Sequence, residues 1–210
     1  MATPLDDVAA GPQPAAERLW NLPNSITLLR TVAVPVLLLF PVLAPSRTGS
    51  QTIAWIFIFA AVTDLVDGWL ARRGEQVTRI GKLLDPLADK LLVATALIVL
   101  LAAGRIPTWG AVMVVVIVGR ELAVTGLRGF ASEHGTIMAA AWPGKVKTLL
   151  QNIAIGALLF PDPQWGLPAH AVGMAFLVAA TVLTLWSGYG YFASYFAQEA
   201  GARAARESRR

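Results

Sequence analysis

The stretch from Asp64 to Lys90, DLVDGWLARRGEQVTRIGKLLDPLADK, sets four aspartates at the mouth of two long apolar segments. Asp64 and Asp67 are three apart on the first segment and Asp85 and Asp89 four apart on the second, so each pair projects from one face of a helix. If the two faces meet, each like-charge pair at about 4 Å costs roughly 4 kcal/mol at an effective dielectric of 20, a repulsion that a divalent cation turns into attraction. The spacing therefore predicts a metal site built from Asp64, Asp67, Asp85 and Asp89. Its donors are hard carboxylate oxygens with no His or Cys nearby, which favours Mg²⁺ or Mn²⁺ over zinc. Solvated helix ends account for Asp85 and Asp89 near a helix start, where negative charge is favoured. They do not account for Asp64, which lies eight residues before Arg72, about 12 Å deeper along a helix, where an unpaired carboxylate is costly.

Between the acids, Gly68 and Ala71 remove side-chain bulk one turn apart on the same face. That lets a flat group such as a nucleotide approach the backbone, although small residues also serve helix packing. Arg72 offers a forked pair of donors to a pyrophosphate oxygen, with an interfacial anchor as its plainer role. Gly81 lets the chain turn back into the next helix.

Outward from the motif, the 210 residues are 56% apolar and 14% charged, with a mean hydropathy of +0.60. That is too apolar and too poor in charge for an ordinary soluble domain. The expected class is an all-α integral membrane protein of six transmembrane helices, near Ile26 to Leu43, Thr52 to Trp69, Leu84 to Ala103, Trp109 to Leu127, Val146 to Phe160 and Ala169 to Phe192. The fifth is short and is expected to tilt or to begin earlier than its apolar run. With the amino terminus inside, only Arg47 and Arg105 fall in outer loops, and the third outer loop, PDPQWGLP, has no basic residue. Arg72, Arg73, Arg79, Lys82, Lys145, Lys147 and the arginines of the tail fall at inner ends, so both termini are expected on the cytoplasmic side. Residues 1–19 lack the basic start and apolar core of a cleavable signal and read as a flexible cytoplasmic tail. Residues 20–196 then form the membrane domain and 197–210 a basic cytoplasmic tail, placed to touch anionic lipid or simply to be solvated. With no cysteine there is neither a disulfide framework nor a thiolate nucleophile. Membrane lipids, not nucleic acid, are the expected surroundings.

A second polar group interrupts the apolar run further on. Arg120, Glu121 and Arg128 fall in the fourth segment, and Lys145 and Lys147 open the fifth. Charge inside a membrane marks function more often than not. Glu121 and Arg128, seven apart, share a face and suit a structural pair, which leaves Arg120 to bind phosphate or to snorkel to the surface. Lys145 and Lys147 face opposite ways on a helix, as one ligand and one interfacial anchor would. Near the first segment, capping and anchoring explain Asn24 and Arg30 without further function.

Written as spacing, Asp64, Asp67, Gly68, Ala71, Arg72, Gly81, Asp85 and Asp89 follow a pattern that resembles the signature of the CDP-alcohol phosphatidyltransferase family. NLPNSITLLR (21–30), LDPLADK (84–90), GRELAVTGLRGFASEHG (119–135), GKVKT (144–148) and VLTLWS (182–187) extend the resemblance over residues 21–195, towards the bacterial branch that uses glycerol 3-phosphate. The resemblance implies the family fold and one or two Mg²⁺ or Mn²⁺ ions on the four aspartates. It implies CDP-diacylglycerol at Asn24, Thr27, Arg30, Asp67, Gly68, Ala71, Arg72 and Gly81, and glycerol 3-phosphate at Arg120, Arg128, Lys145 and Lys147. By the same resemblance Asp89 takes the acceptor's proton, and a homodimer in the bacterial inner membrane is expected. Branches that take phosphatidylglycerol or inositol phosphate keep the aspartates and change the basic pocket. A metal or proton transporter also gathers acids among helices, but its site sits near the midplane between repeats, whereas these acids cluster beside Arg72 and Arg73.

Overall fold

A computed structural model describes residues 22–70, 79–133 and 142–207; at 22–27, 64–70, 79–86, 133, 143 and 202–206 it describes the backbone alone. The described chain is helical, with α1 (Leu22–Leu37), α2 (Phe40–Leu43), α3 (Arg47–Leu70), α4 (Arg79–Ala102), α5 (Ala111–Glu133), α6 (Trp142–Leu159) and α7 (Ala169–Glu207). The first expected segment is not one continuous helix. Its ladder is interrupted at Leu38 and Leu39, whose N–H groups make tight bonds back to Pro35 O and Val36 O (3.2 and 3.1 Å), and it resumes as α2. Pro41, in the first turn of α2, has no N–H to continue the α1 ladder. The fifth expected segment does begin earlier than its apolar run, at Trp142. α7 is 39 residues long, roughly 58 Å at 1.5 Å per residue, and so outruns a hydrocarbon core of about 30 Å and carries residues 197–207 as helix.

Two described stretches, Thr108–Ser132 and Ala169–Gly201, are long and apolar enough to cross a membrane. α6 falls short of that measure because Lys145, Lys147, Gln151 and Asn152 dilute its apolar residues. The outward faces are nonetheless greasy: Val32, Leu39, Phe59, Ile98, Val112, Leu122, Val182 and Trp186 are all more than half exposed. Such a continuous apolar exterior fits hydrocarbon rather than water.

Inside, α6 and α7 form the most extensive helix pair, α1 lies against α4 and α3, α3 against α6, and α5 against α7. Leu37, Phe57, Leu97, Leu100, Ile117, Ile155 and Leu159 are fully buried between them, with Ala54, Ala96, Ala154 and Ala180 keeping the helices close. α6 and α7 approach closely at Gly173, where an added Cβ would sit 2.6 Å from Leu158 Cγ and 3.1 Å from the Leu158 backbone nitrogen.

One end of the bundle is tied by polar contacts. α4 stops in a glycine cap, with Gly104 at φ 69° and bonds from Gly104 N to Leu101 O and from Arg105 N to Leu100 O (3.1 and 2.9 Å). This turn delivers Arg105, whose guanidinium donates to Phe160 O (3.1 Å) and Ser50 Oγ (3.3 Å) and lies over the Phe40 ring. Ser50 Oγ donates to Leu159 O (2.6 Å), His170 Nε2 to the Arg105 carbonyl (2.9 Å) and Arg47 to Pro163 O (3.0 Å). The loop between α6 and α7 turns at Trp165 and Gly166, both at positive φ, the geometry a two-residue hairpin loop demands. Both basic residues expected in outer loops thus hold the carbonyls of this loop, and the aspartate-bearing ends of α3 and α4 lie at the opposite end.

Gly173→Val should lower stability by about 2 kcal/mol or more, because the rigid backbone of α6 cannot move away. Thermal unfolding of the purified protein in detergent checks this; an unchanged midpoint would mean that α6 and α7 are not in such close contact.

Candidate active site

The last two turns of α3 carry Asp64, Asp67 and Gly68, and the first three turns of α4 carry Gly81, Asp85 and Asp89. The backbone is helical through all of them, so the spacings of three and four each belong to one helix. Ala71 and Arg72 lie outside the described residues, as do the side chains of Asn24, Thr27, Asp64, Asp67 and Asp85. Of the acidic quartet, Asp89 is the member whose side chain is described, and it is half-buried. Among the described residues no three His, Cys, Asp or Glu side chains gather into a metal cluster.

The basic residues of α5 and α6 are described in full, and they divide. Arg120 on α5 and Lys147 on α6 meet at one atom, Glu121 Oε1, which accepts from Arg120 Nη1 (3.2 Å) and from Lys147 Nζ. Lys147 is 2% exposed. The field of Asp89 reaches the same ammonium, so two cations and two carboxylates act on one another here. Helices α4, α5 and α6 therefore bring their charges to one place. α7 completes it, because Ser187 Oγ accepts from Arg120 Nη2 (2.9 Å) and the Tyr191 ring lies under the Arg120 guanidinium (5.4 Å to the centroid). One turn along, buried Gln151 of α6 donates to Thr184 Oγ1 (3.3 Å), so the seam between α6 and α7 is polar on the side of the site.

Glu121 does not pair with Arg128. Seven residues along one helix separate the two by about 10 Å, whereas Lys147 lies directly alongside on the neighbouring helix. Arg128 and Lys145 are exposed, and Lys145 and Lys147 face opposite ways as their spacing requires. Arg30, 3% exposed, is turned inward from α1. Ser187, Tyr191, Gln151 and Thr184 were not singled out by spacing alone. The available signal was Thr184, Ser187 and Tyr191 at intervals of three and four in an apolar helix, a polar stripe that has to face another helix.

The arrangement gathers two cations at one carboxylate, towards the end of the bundle where the helical positions of Asp64, Asp67, Asp85 and Asp89 lie. Comparison with known proteins agrees with that chemistry. The family profile described as CDP-alcohol phosphatidyltransferase matches residues 20–186. The chain belongs to the CDP-alcohol phosphatidyltransferase family. It is 42% identical over 186 residues to the CDP-diacylglycerol–glycerol-3-phosphate 3-phosphatidyltransferase of Bacillus subtilis (strain 168), covering 83% of this chain and 94% of that protein. It is 42% identical over 178 residues to a probable phosphatidylglycerophosphate synthase of Mycobacterium tuberculosis (strain CDC 1551 / Oshkosh), covering 84% and 82%. A Pectobacterium atrosepticum CDP-diacylglycerol–glycerol-3-phosphate 3-phosphatidyltransferase is 40% identical over 174 residues, covering 82% and 93%. The CDP-alcohol phosphatidyltransferase match takes in all four aspartates, Arg120 and Lys147, and stops one residue short of Ser187.

Removing one partner from a buried charge pair strands the other. Glu121→Gln should therefore cost about 3 kcal/mol of stability, and Lys147→Met added to it should restore more than half of that loss. Unfolding midpoints of the two single variants and the double variant check the coupling; additive losses would mean the pair is not shielded from solvent.

Proposed function

We propose that this chain transfers the phosphatidyl group of CDP-diacylglycerol to sn-glycerol 3-phosphate, giving phosphatidylglycerophosphate and CMP. One observation supports the choice of acceptor: Arg120 and the buried Lys147, from two helices, meet at one carboxylate oxygen of Glu121. An acceptor that brings its own phosphate needs such cations, and a neutral alcohol does not. The names of the Bacillus and Pectobacterium relatives point to the same acceptor.

The reading takes the six long helices as six membrane spans, with both termini and the site on the cytoplasmic face and the acyl chains of the donor left in the bilayer. A homodimer in the bacterial inner membrane is part of it. Asp64, Asp67, Asp85 and Asp89 fit one or two Mg²⁺ or Mn²⁺ ions by their chemistry: four hard carboxylates, two from each of two helices that are consecutive in the chain, with no softer ligand among them. A divalent ion held there supplies charge neutralisation for the diphosphate of the donor and for the departing CMP.

The chain's own residues do the rest. Gly68 and Ala71 leave room for the nucleotide, Arg72 holds a diphosphate oxygen, Gly81 turns the chain into α4, and Asn24, Thr27 and Arg30 line the lipid and nucleotide edge. Arg120 and Lys147 bind the phosphate of the acceptor from within the bundle, with Arg128 and Lys145 at its exposed rim. Asp89 accepts the proton of the C1 hydroxyl as that oxygen attacks the phosphorus next to diacylglycerol. The new P–O bond forms as the bond from phosphorus to the CMP oxygen breaks, and CMP leaves with the electron pair. Without a cysteine, and with no activated serine in the motif, a direct displacement in a ternary complex is favoured over a phosphatidyl-enzyme.

Purified protein given CDP-diacylglycerol and Mg²⁺ should release CMP with glycerol 3-phosphate, and not with inositol phosphate, serine or phosphatidylglycerol. With donor alone it should release no stoichiometric burst. Asp89→Asn should reduce turnover by 10²-fold or more, the scale of general-base loss, while sparing donor binding. CMP formed with another acceptor in place of glycerol 3-phosphate, or lost donor affinity in Asp89→Asn, would refute the assignments.

A further inference from the structure

On α7, three positions within five residues all serve one side chain of α5. Ser187 gives Arg120 Nη2 a hydrogen-bond acceptor (2.9 Å). Gly188 gives clearance: a Cβ there would stand 3.1 Å from Arg120 Cγ and 3.5 Å from its Nε. Tyr191 gives the face of its ring, 5.4 Å from Cζ. Arg120 Nη1 goes to Glu121, and Arg120 Nε, buried, has no hydrogen-bond partner among the described residues. A guanidinium is planar, so two held corners and a ring beneath it fix its plane as well as its position.

The serine is set to accept. Its hydroxyl donates back to Thr184 O (3.3 Å), which commits the proton to α7 itself and turns a lone pair towards Arg120. Thr184 repeats the arrangement one turn earlier, donating to Ala180 O (2.6 Å) and accepting from Gln151. The hydroxyls of α7 are thus acceptors facing donors on α5 and α6. Such a bond from Ser187 holds the charged side chain of Arg120 in one orientation.

We propose that Ser187 is a positioning residue, which with the clearance at Gly188 and the ring of Tyr191 sets the Arg120 guanidinium for the phosphate of the acceptor. This rests on the reading of Arg120 as an acceptor contact. Ser187 does not touch the reacting atoms, so its loss alters how well the acceptor is held and leaves the chemical step intact.

The test uses the full chain, purified in detergent or nanodiscs, with each substrate varied at saturating levels of the other. Ser187→Ala should raise the KM for glycerol 3-phosphate about tenfold, the scale of one hydrogen bond to a charged group, with kcat within about twofold and the KM for CDP-diacylglycerol unchanged. Ser187→Thr, which keeps the hydroxyl, should restore most of the loss. Gly188→Ala should give the same signature in weaker form by displacing the Arg120 stem, and it stands in should Ser187→Ala not fold. Combined with Arg120→Ala, which itself raises the acceptor KM, Ser187→Ala should have no further effect. An unchanged acceptor KM in Ser187→Ala, equal changes in both KM values, or effects that add to those of Arg120→Ala would overturn the positioning role. If Arg120→Ala raises the acceptor KM and Ser187→Ala does not, the acceptor reading stands and this inference alone fails. If Arg120→Ala leaves that KM unchanged, both fail.

Discussion

A single carboxylate oxygen, Glu121 Oε1, holds two cations from different positions in the bundle, and the rest of the site depends on it. Lys147 is buried, and an ammonium cannot stay charged in apolar surroundings without a counter-ion. Glu121 supplies one, shared with Arg120, and the field of Asp89 adds to it. Cations held at fixed positions by shared carboxylates inside a membrane bundle suit the binding of a phosphate.

The two ends of the bundle use polar groups in different ways. At the loop end, Arg105, Ser50, His170 and Arg47 spend their hydrogen bonds on backbone carbonyls and on one another, which closes the helix connections. Towards the other end the polar groups face inward, from Gln151 and Thr184 to Ser187, Arg120, Glu121, Lys147 and Asp89. The interhelical small residues, Gly173 against Leu158 above all, bring α6 and α7 close enough for that seam to form. Packing in the apolar half thus sets the distances on which the charged half relies.

The aspartate motif and the six apolar stretches were legible because both are local: a spacing of three or four places carboxylates on one helix face, and a run of apolar residues marks a helix. The break at Leu38 and Leu39 lay in the sequence as Pro41, but hydropathy does not register a missing N–H donor. The partner of Glu121 was not legible from Arg128, because a shared face two turns away is a weaker constraint than a lysine on a neighbouring helix. Ser187, Gly188 and Tyr191 act on Arg120 across 67 residues of chain or more, and spacing along one helix carries no signal for which helix lies opposite. The acidic quartet itself was read from the motif, and the structure adds to it the helical backbone at all four positions and the half-buried setting of Asp89.

The central claim is that Arg120 and Lys147 select an acceptor by its phosphate. The most direct measurement compares kcat/KM for glycerol 3-phosphate with that for glycerol, which lacks the phosphate, in the unaltered protein and in Lys147→Met, where Glu121 remains paired with Arg120. The account predicts strong discrimination in the unaltered protein, reduced by about tenfold or more in Lys147→Met, the scale of one charge-assisted hydrogen bond. Discrimination that survives the substitution unchanged would contradict it.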